Sequence, residues 1–257
     1  MIMLLVIDIG NTSISLGLYD GEKLKVSLRV ATVLHRMPDE YASLLLHLLE
    51  INAIDHKSID KVALCSVVPP LTSVFEDLCR KYFNADPLTI GAGTKTGVKI
   101  RMDNPREVGA DRIVNSAAAF HLYRMACIVV DLGTGTTFDT VSSTGEFIGG
   151  AIAPGINIAA EALTSRTSML PRIELHAPEK AIGTSTVKAM QSGMVFGYVG
   201  LVEGIVGRIQ KELPTPAKVI ATGGYAELLA SETKIFDVIS PDLTLFGLRL
   251  IYYMNRA

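Results

Sequence analysis

Two short segments combine an aspartate, a glycine and a threonine directly after an apolar stretch. Residues 8–12 read Asp-Ile-Gly-Asn-Thr, and residues 131–136 read Asp-Leu-Gly-Thr-Gly-Thr. Glycine lets a backbone approach a phosphate closely because it has no Cβ, and hydroxyl and amide groups supply hydrogen-bond donors. The aspartate can hold Mg²⁺ through water. Each segment therefore predicts a phosphate-binding loop, although each one alone is equally typical of a hairpin turn.

The repetition of this pattern is more informative than either copy. In both copies the last threonine is followed nine residues later by Gly-Glu, at Gly21 and at Gly145. This spacing predicts a strand, a tight turn and a second strand, followed by another turn. Two such units in one chain predict two similar lobes that grip one nucleotide between them.

Two further glycine-containing segments are candidates for the same site. Thr222-Gly223-Gly224 follows a short apolar strand, where glycine backbone can pack against an adenosine or simply form a strand-to-helix loop. Asp111 follows Gly109-Ala110 at the predicted start of a helix, where an acid is a common cap. The functional alternative is that Asp111 accepts a proton from an attacking hydroxyl while Arg112 fixes the substrate. Phosphoryl transfer needs little from a base, so an ordinary carboxylate suffices.

The periodicity of apolar residues predicts a mixed α/β architecture in which each half begins with a β-hairpin. Strands are predicted at 3–7, 13–19, 24–30, 61–68, 127–130, 136–141, 146–152 and 218–221, with short strands and loops over 88–102. Helices are predicted from 38, over 71–83, 109–123, 185–212 and 246–254, and after 155 and 224. The glycines of the 185–212 helix predict close helix packing. Residues 91–97 resemble a Walker loop but lack the glycine before the lysine, so a plain loop is predicted.

Composition limits the possible functions. The chain has 257 residues, 49% of them hydrophobic, and a formal net charge of −2, which suits one large domain or two lobes. This charge gives no reason to expect a nucleic acid or an anionic membrane as partner. The three cysteines and five histidines show no zinc or disulfide spacing. No segment approaches the ~20 apolar residues of a membrane span, and a cytoplasmic protein is expected.

Seven motifs occur in an order that resembles the type III pantothenate kinases over nearly the whole chain. They are Asp-Ile-Gly-Asn-Thr at 8–12, Ser-Val-Val-Pro at 66–69, Asp-Asn-Pro at 103–105, Glu-Val-Gly-Ala-Asp-Arg at 107–112, Asp-Leu-Gly-Thr-Gly-Thr at 131–136, Gly-Gly-Ala-Ile-Ala-Pro-Gly at 149–155 and Thr-Gly-Gly at 222–224. That family belongs to the sugar kinase, Hsp70 and actin ATPases. The resemblance implies a duplicated actin-like (ribonuclease H-like) α/β fold with a nucleotide cleft between its lobes. The sequence repeat alone places the boundary near residue 117, which predicts lobes at 1–117 and 118–257.

The resemblance also implies an activity and residue roles. Family members use ATP with Mg²⁺ to phosphorylate pantothenate, and they need a monovalent cation, K⁺ or NH₄⁺. The residues implied to bind ATP are Asp8, Ile9, Gly10, Asn11, Thr12, Ser13, Ile14, Ser15 and Thr134, with Asp8 holding Mg²⁺ through water. Asp111 would be the catalytic proton acceptor, and Asp131 would bind the monovalent cation. The residues implied to bind pantothenate are Met102, Gly109, Ala110, Asp111, Arg112 and, from the neighbouring subunit of a homodimer, Thr186.

One substrate position departs from the family pattern. Met102 stands before Asp-Asn-Pro, where the family usually has a tyrosine. A methionine can pack on the apolar part of pantothenate but cannot donate a hydroxyl hydrogen bond. Two other functions stay open from the residues: a regulatory ATP-binding module without catalytic activity, and a polyphosphate hydrolase that uses water as acceptor.

Overall fold

The structure, a computed structural model, describes residues 3–256. The strands are β1 Met3–Ile9, β2 Ser13–Asp20, β3 Lys23–Ala31, β4 Ile59–Ser66, β5 Leu88–Thr89, β6 Lys99–Ile100, β7 Cys127–Leu132, β8 Gly135–Val141, β9 Glu146–Pro154, β10 Lys218–Thr222 and β11 Val238–Ile239. The helices are α1 Pro38–Ile51, α2 Pro69–Phe83, α3 Ala110–Tyr123, α4 Ile156–Arg166, α5 Thr186–Glu212, α6 Ala226–Ala230 and α7 Leu243–Asn255. Short 3₁₀ helices cover His56–Ser58 and Pro105–Glu107.

Contacts divide the chain into two compact units. Unit 1 contains the chain up to Gly97, Asn104–Ala118 and the segment from Asp242 onwards, and unit 2 contains Val98–Asp103 and Ala119–Pro241. These units differ from the predicted lobes 1–117 and 118–257 mainly at two segments. Helix α7 belongs to unit 1 because it packs on β1, β2 and β4. Residues 98–103 belong to unit 2, where β6 pairs with β9.

Unit 1 is a five-stranded sheet in the order β3-β2-β1-β4-β5. β1 and β2, and β2 and β3, are antiparallel, whereas β4 runs parallel to β1. One face buries Leu5, Ile7 and Ile9 of β1 against α1 and α2. Strand β1 is apolar at nearly every position because a central strand is covered on both faces.

Helix α7 approaches α3 closely within unit 1. A Cβ built on Gly247 would lie 2.5 Å from the Val114 carbonyl oxygen. The Thr244 hydroxyl also donates a hydrogen bond to Asn115 (2.7 Å). The two helices therefore pack together where glycine removes the side chain from α7.

Unit 2 repeats this topology. Its sheet has the order β11-β10-β7-β8-β9-β6, so β9-β8-β7-β10-β11 corresponds to β3-β2-β1-β4-β5 of unit 1. β7 and β8, and β8 and β9, are antiparallel, whereas β10 runs parallel to β7. The core buries Ile128, Val130 and Leu132 of β7 against α5 and α6. The duplicated hairpin-led sheet that the sequence predicts is present.

The glycines of α5 do not serve the close packing that their spacing predicts. Cβ atoms built on Gly193, Gly197, Gly200 and Gly207 would meet no other atom within 4 Å. These glycines face open space, while the valines of the same helix fill the core. Among residues 3–256 of one chain, these four glycines make no close helix contact, because glycine spacing marks a smooth helix face without indicating which element covers it.

By length and composition, α5 is also able to cross a membrane. Its most apolar 18-residue window has a mean hydropathy of 1.3, and 44% of that window is buried in the structure. The expectation that no segment approaches a membrane span is therefore wrong by the criteria of length and composition, which α5 meets. A core helix of a soluble domain passes the same test because one of its faces packs on a sheet, as Val195, Val202 and Val206 do here.

Candidate active site

The first predicted phosphate loop is the turn between β1 and β2 in unit 1. The Gly10 N–H donates to the Ser13 carbonyl oxygen (3.1 Å), and a Cβ on Gly10 would lie 3.0 Å from the same oxygen. Asn11 and Thr12 are exposed at the tip of the turn, whereas Asp8 is partly buried. The turn is tight, and its donor side chains are accessible to a phosphate.

Thr32, just beyond β3, holds this loop in place. Its hydroxyl donates to the Gly10 carbonyl oxygen (2.6 Å), and its backbone N–H donates to the Thr12 carbonyl oxygen (3.0 Å). The side chain of Arg29 donates from Nε to the Ser13 hydroxyl (2.9 Å). The end of β3 therefore determines the shape of the loop, which the loop sequence alone does not reveal.

Thr32→Val is expected to weaken ATP binding without unfolding unit 1. The substitution keeps the shape of the side chain but removes the donor to Gly10, at a net cost of about 1 kcal/mol. If this cost falls on ATP binding, the KM for ATP should rise about fivefold. Thr89→Val is the control, since it removes one hydroxyl hydrogen bond, to Glu76 (2.7 Å), on the edge strand β5. Equal KM values in both variants would show that Thr32 does not shape the nucleotide site.

Two predicted site carboxylates of unit 1 lie around one buried thiol. Cys65 of β4 lies directly opposite Asp8 of β1 and is 0% exposed. Burial, and then the nearby charges of Asp8 and Asp111, raise the pKa of the Cys65 thiol well above its ordinary value, and the thiol hydrogen-bonds with Asp8. The thiol therefore stays neutral. The charges of Asp8 and Asp111 therefore both act on the Cys65 thiol.

Asp111 occupies the first turn of α3 and is partly buried. Burial raises the pKa of its carboxyl, and the Arg112 N–H and charge oppose that shift. The Arg112 backbone N–H donates to Asp111 Oδ1 (2.8 Å). A Cβ on Gly109 would lie only 2.5 Å from that oxygen. The absence of a side chain at Gly109, next to Ala110, therefore provides the space that the Asp111 carboxylate occupies.

The second predicted loop joins β7 and β8 in unit 2. The Gly133 N–H donates to the Gly135 carbonyl oxygen (3.0 Å), and Thr134 is exposed at the tip. A Cβ on Gly155 would overlap the Thr134 carbonyl oxygen, so the start of α4 lies against this loop. Thr136 is 1% exposed, which leaves Thr134 as the threonine of this loop that can meet a ligand.

Asp131 lies between two glycine backbones of unit 2. Its Oδ1 would be 3.3 Å from a Cβ on Gly133 and 2.6 Å from a Cβ on Gly223. Asp131 and Thr222 are paired across β7 and β10, and Gly223 follows with φ +91°. In donor type, a carboxylate oxygen suits a hard cation. Within residues 3–256, no group of three or more His, Cys, Asp or Glu side chains could hold a metal ion.

The remaining predicted substrate residues lie at two other places. Met102 of unit 2 is partly buried, and its sulfur would lie 3.3 Å from a Cβ on Gly149. Thr186 is exposed at the N-terminus of α5, directly after the cap Ser185, whose side chain accepts from the Lys188 N–H. The 91–97 segment forms a plain loop as predicted, with its backbone at Lys95 bound to the Asn255 side chain.

Sequence reasoning missed Arg29, Thr32 and Cys65. Thr32 and Cys65 could have been identified by looking for polar residues on or next to the strands that flank the first loop, because the strand order alone places both near it. Arg29 depends on register. A bulge between Leu18 and Tyr19 shifts the β2–β3 pairing by one residue and sets Arg29 opposite Ser15.

Comparison with known proteins identifies relatives over the whole chain. A family model described as type III pantothenate kinase matches residues 4–208. A Dehalococcoides mccartyi protein named type III pantothenate kinase is 60% identical over 254 residues, covering 99% of this chain and 97% of the relative.

Solved structures with low sequence identity share the fold. A Campylobacter jejuni protein assigned to the Baf family of transcriptional activators is 18% identical with a TM-score of 0.62, covering 98% of each chain. A Porphyromonas gingivalis protein described as an N-acetylglucosamine kinase is 11% identical with a TM-score of 0.51, covering 99% of this chain and 100% of that one. The predicted fold class, that of the sugar kinase and actin-like ATPases, is confirmed. On the family match and the 60% identity, the chain belongs to the type III pantothenate kinase family.

Proposed function

We propose that this chain transfers the γ-phosphoryl group of ATP to the hydroxyl of pantothenate, which gives 4′-phosphopantothenate and ADP in the first step of coenzyme A biosynthesis. The observation that carries the proposal is the 60% identity, over 99% of the chain, to a relative named type III pantothenate kinase. The carboxylates of Asp8 and Asp111, which both act on the Cys65 thiol, support it, because a kinase needs a place for its metal and an acceptor for the alcohol proton.

Asp111 is the proposed proton acceptor. Burial raises the pKa of its carboxyl, and a more basic carboxylate takes the hydroxyl proton more readily. Its hydrogen bond with the Arg112 N–H (2.8 Å) fixes the orientation of the group. Gly109, Ala110 and Arg112 line the pantothenate site in this proposal, together with Met102. The exposed Thr186 contacts pantothenate bound to the neighbouring subunit of a homodimer.

ATP is held in this proposal by the residues that the two phosphate-loop motifs single out, one motif in each proposed ATPase lobe (1–117 and 118–257). Residues 8–15 of unit 1 and Thr134 of unit 2 donate hydrogen bonds to its phosphates, and Thr222-Gly223-Gly224 packs on the adenosine. Helix and loop N–H groups favour bound anions. This arrangement explains why exposed donors occupy the tips of both turns.

Two cations complete the proposed site. Mg²⁺, bound with ATP, neutralises charge on the polyphosphate, and Asp8 holds it through water. Asp131 holds K⁺ or NH₄⁺, for which its Oδ1 lies in the space left by Gly133 and Gly223. We further propose a cytoplasmic homodimer whose ligands are ATP and pantothenate, with neither nucleic acid nor membrane as partner. The formal net charge of −2 supports the last point.

The test is ADP release by the purified chain in a mixture of ATP, Mg²⁺, K⁺ and pantothenate. ADP should form only with pantothenate, 4′-phosphopantothenate should be found by mass spectrometry, and Na⁺ should replace K⁺ poorly. Phosphate release without pantothenate would indicate hydrolysis with water as acceptor. A folded chain that binds ATP but releases no ADP would favour the regulatory module. The named kinase relatives do not favour that alternative.

A further inference from the structure

The first phosphate loop contains no basic residue. Residues 8–15 read Asp-Ile-Gly-Asn-Thr-Ser-Ile-Ser, with one carboxylate and no lysine or arginine. The Walker phosphate loop, in contrast, carries a lysine that reaches the terminal phosphates. A polyphosphate over the present loop meets neutral donors and Asp8, so no side chain of the loop adds positive charge to that of the proposed Mg²⁺.

Strand pairing places one arginine on the same face as the loop carboxylate. Arg29 of β3 lies opposite Ser15 of β2, Ser15 lies opposite Asp8 of β1, and Asp8 lies opposite Cys65 of β4. Directly opposite residues share a face, and neighbouring strands are about 4.8 Å apart. Arg29 and Asp8 are therefore separated by two strand spacings, about 10 Å, with Ser15 between them.

The contacts of Arg29 direct its charge toward the loop. Its Nε donates to the Ser13 hydroxyl (2.9 Å), and its side chain is otherwise exposed. Across residues 3–256, Arg29 forms no ion pair with an aspartate or glutamate. A guanidinium carries five N–H donors, so the terminal nitrogens keep donors for a ligand. Arginine suits phosphate oxygens because its planar fork binds two of them at once.

The loop and the guanidinium also have a fixed relative position. Thr32, three residues after Arg29, binds the carbonyl oxygens of Gly10 and Thr12. The same strand end thus anchors the loop backbone and supplies the arginine. The positions of the donors are set before a ligand binds, which lowers the entropy cost of binding.

We infer that the Arg29 guanidinium binds the terminal phosphates of ATP and supplies the positive charge that the Asp8–Ser15 loop lacks. The inference rests on the proposed function, since it takes ATP as the ligand of this loop. It adds a nucleotide-binding residue on β3 to those of the β1–β2 turn.

The test compares Arg29→Gln with Arg29→Lys and with Lys23→Gln. Lys23 is an exposed cation at the other end of β3, beside the hairpin turn. Isothermal titration with MgATP, MgADP and adenosine is combined with the KM for ATP, and thermal melts without nucleotide check folding. Arg29→Gln should weaken MgATP binding about ten- to a hundredfold, since a hydrogen bond between charged groups is lost. Arg29→Lys should recover part of this loss, because the charge stays but the fork is lost. The affinity of Arg29→Gln for adenosine should equal that of the unsubstituted chain. The affinity of Lys23→Gln for MgATP should also be unchanged.

Ser13→Ala separates phosphate binding from support of the loop. If Arg29 acted only through the Ser13 hydroxyl, Ser13→Ala would reproduce the Arg29→Gln loss, and the double variant would be no weaker. We expect a smaller loss in Ser13→Ala than in Arg29→Gln, and weaker MgATP binding in the double variant than in Arg29→Gln, because both side chains donate to phosphate. MgATP affinity of Arg29→Gln within twofold of the unsubstituted chain, or an equal loss for adenosine, would overturn the inference. A chain that binds MgATP through Arg29 but does not phosphorylate pantothenate would overturn only the proposed function.

Discussion

Asp111→Asn is expected to lose most turnover with pantothenate and to melt at a higher temperature than the unsubstituted chain at neutral pH. A positioned general base contributes about 10²–10⁴-fold to a rate, and asparagine cannot accept the hydroxyl proton. The amide oxygen can still accept from the Arg112 N–H, which donates to Asp111 Oδ1 in the structure. ATP affinity should therefore be retained.

The gain in stability follows from the direction of the pKa shift. Burial raises the pKa of Asp111, so the folded state prefers its protonated form. This preference stabilises the fold fully below the ordinary pKa of about 3.9 and is lost as the pH rises through the raised folded-state pKa. At pH 7.5 the buried charge is a cost that asparagine removes, and each 1 kcal/mol gained raises the Tm by about 2–4 °C.

Thermal melts at pH 7.5 and at pH 4 measure this effect, with Asp39→Asn as control. Asp39 is an exposed carboxylate of unit 1 whose pKa is lowered by hydrogen bonds from Lys81 and Tyr82. Its replacement should give no gain at pH 7.5. The Tm advantage of Asp111→Asn should shrink toward pH 4. Full turnover of Asp111→Asn would reject Asp111 as proton acceptor, and an unchanged Tm at pH 7.5 would reject the cost of burying its charge.

The elements of both sheets were predictable because local patterns encode them. Continuous apolar runs predicted β1 and β7. The predicted turns at Gly21 and Gly145 are present, and both glycines have positive φ. The duplicated strand order follows from the repeated motif. The helix of residues 246–254 was found as α7, but an amphipathic pattern does not specify which sheet covers its apolar face. Contact with β1, β2 and β4 assigns α7 to unit 1.

The glycine turns of the candidate site were predictable from the sequence. The register of the β2–β3 strand pair, which positions Arg29, was not. Asp8, Asp111 and Asp131 are recognisable from the motifs around them. If the register of the Asp20–Lys23 turn continued without a bulge, Ser15 would lie opposite Leu28. The bulge sets Arg29 there instead, and one residue of slip moves a side chain to the other face. Residues that contribute to a site from a neighbouring strand can therefore be identified only once the strand register is known from the structure.

Gly223→Ala should disable the proposed cation site at Asp131 and destabilise unit 2. The backbone of Gly223 has φ +91°, which alanine adopts only at a cost of about 1 kcal/mol. Its Cβ would also lie 2.6 Å from Asp131 Oδ1 and 2.6 Å from the Leu132 carbonyl carbon. The Leu132 backbone belongs to β7 and has little freedom to move, so overpacking adds about 1–3 kcal/mol.

Gly93→Ala isolates the backbone part of this cost. Gly93 has φ +90°, almost equal to that of Gly223, and a Cβ there would meet nothing within 4 Å. Denaturant unfolding should show a loss of about 1 kcal/mol for Gly93→Ala and about 2–4 kcal/mol for Gly223→Ala. The K⁺ concentration for half-maximal activity should rise only in Gly223→Ala, because its methyl group displaces the Asp131 carboxylate. Equal unfolding free energies with an unchanged K⁺ response would show that the contact between Gly223 and Asp131 does not shape the cation site.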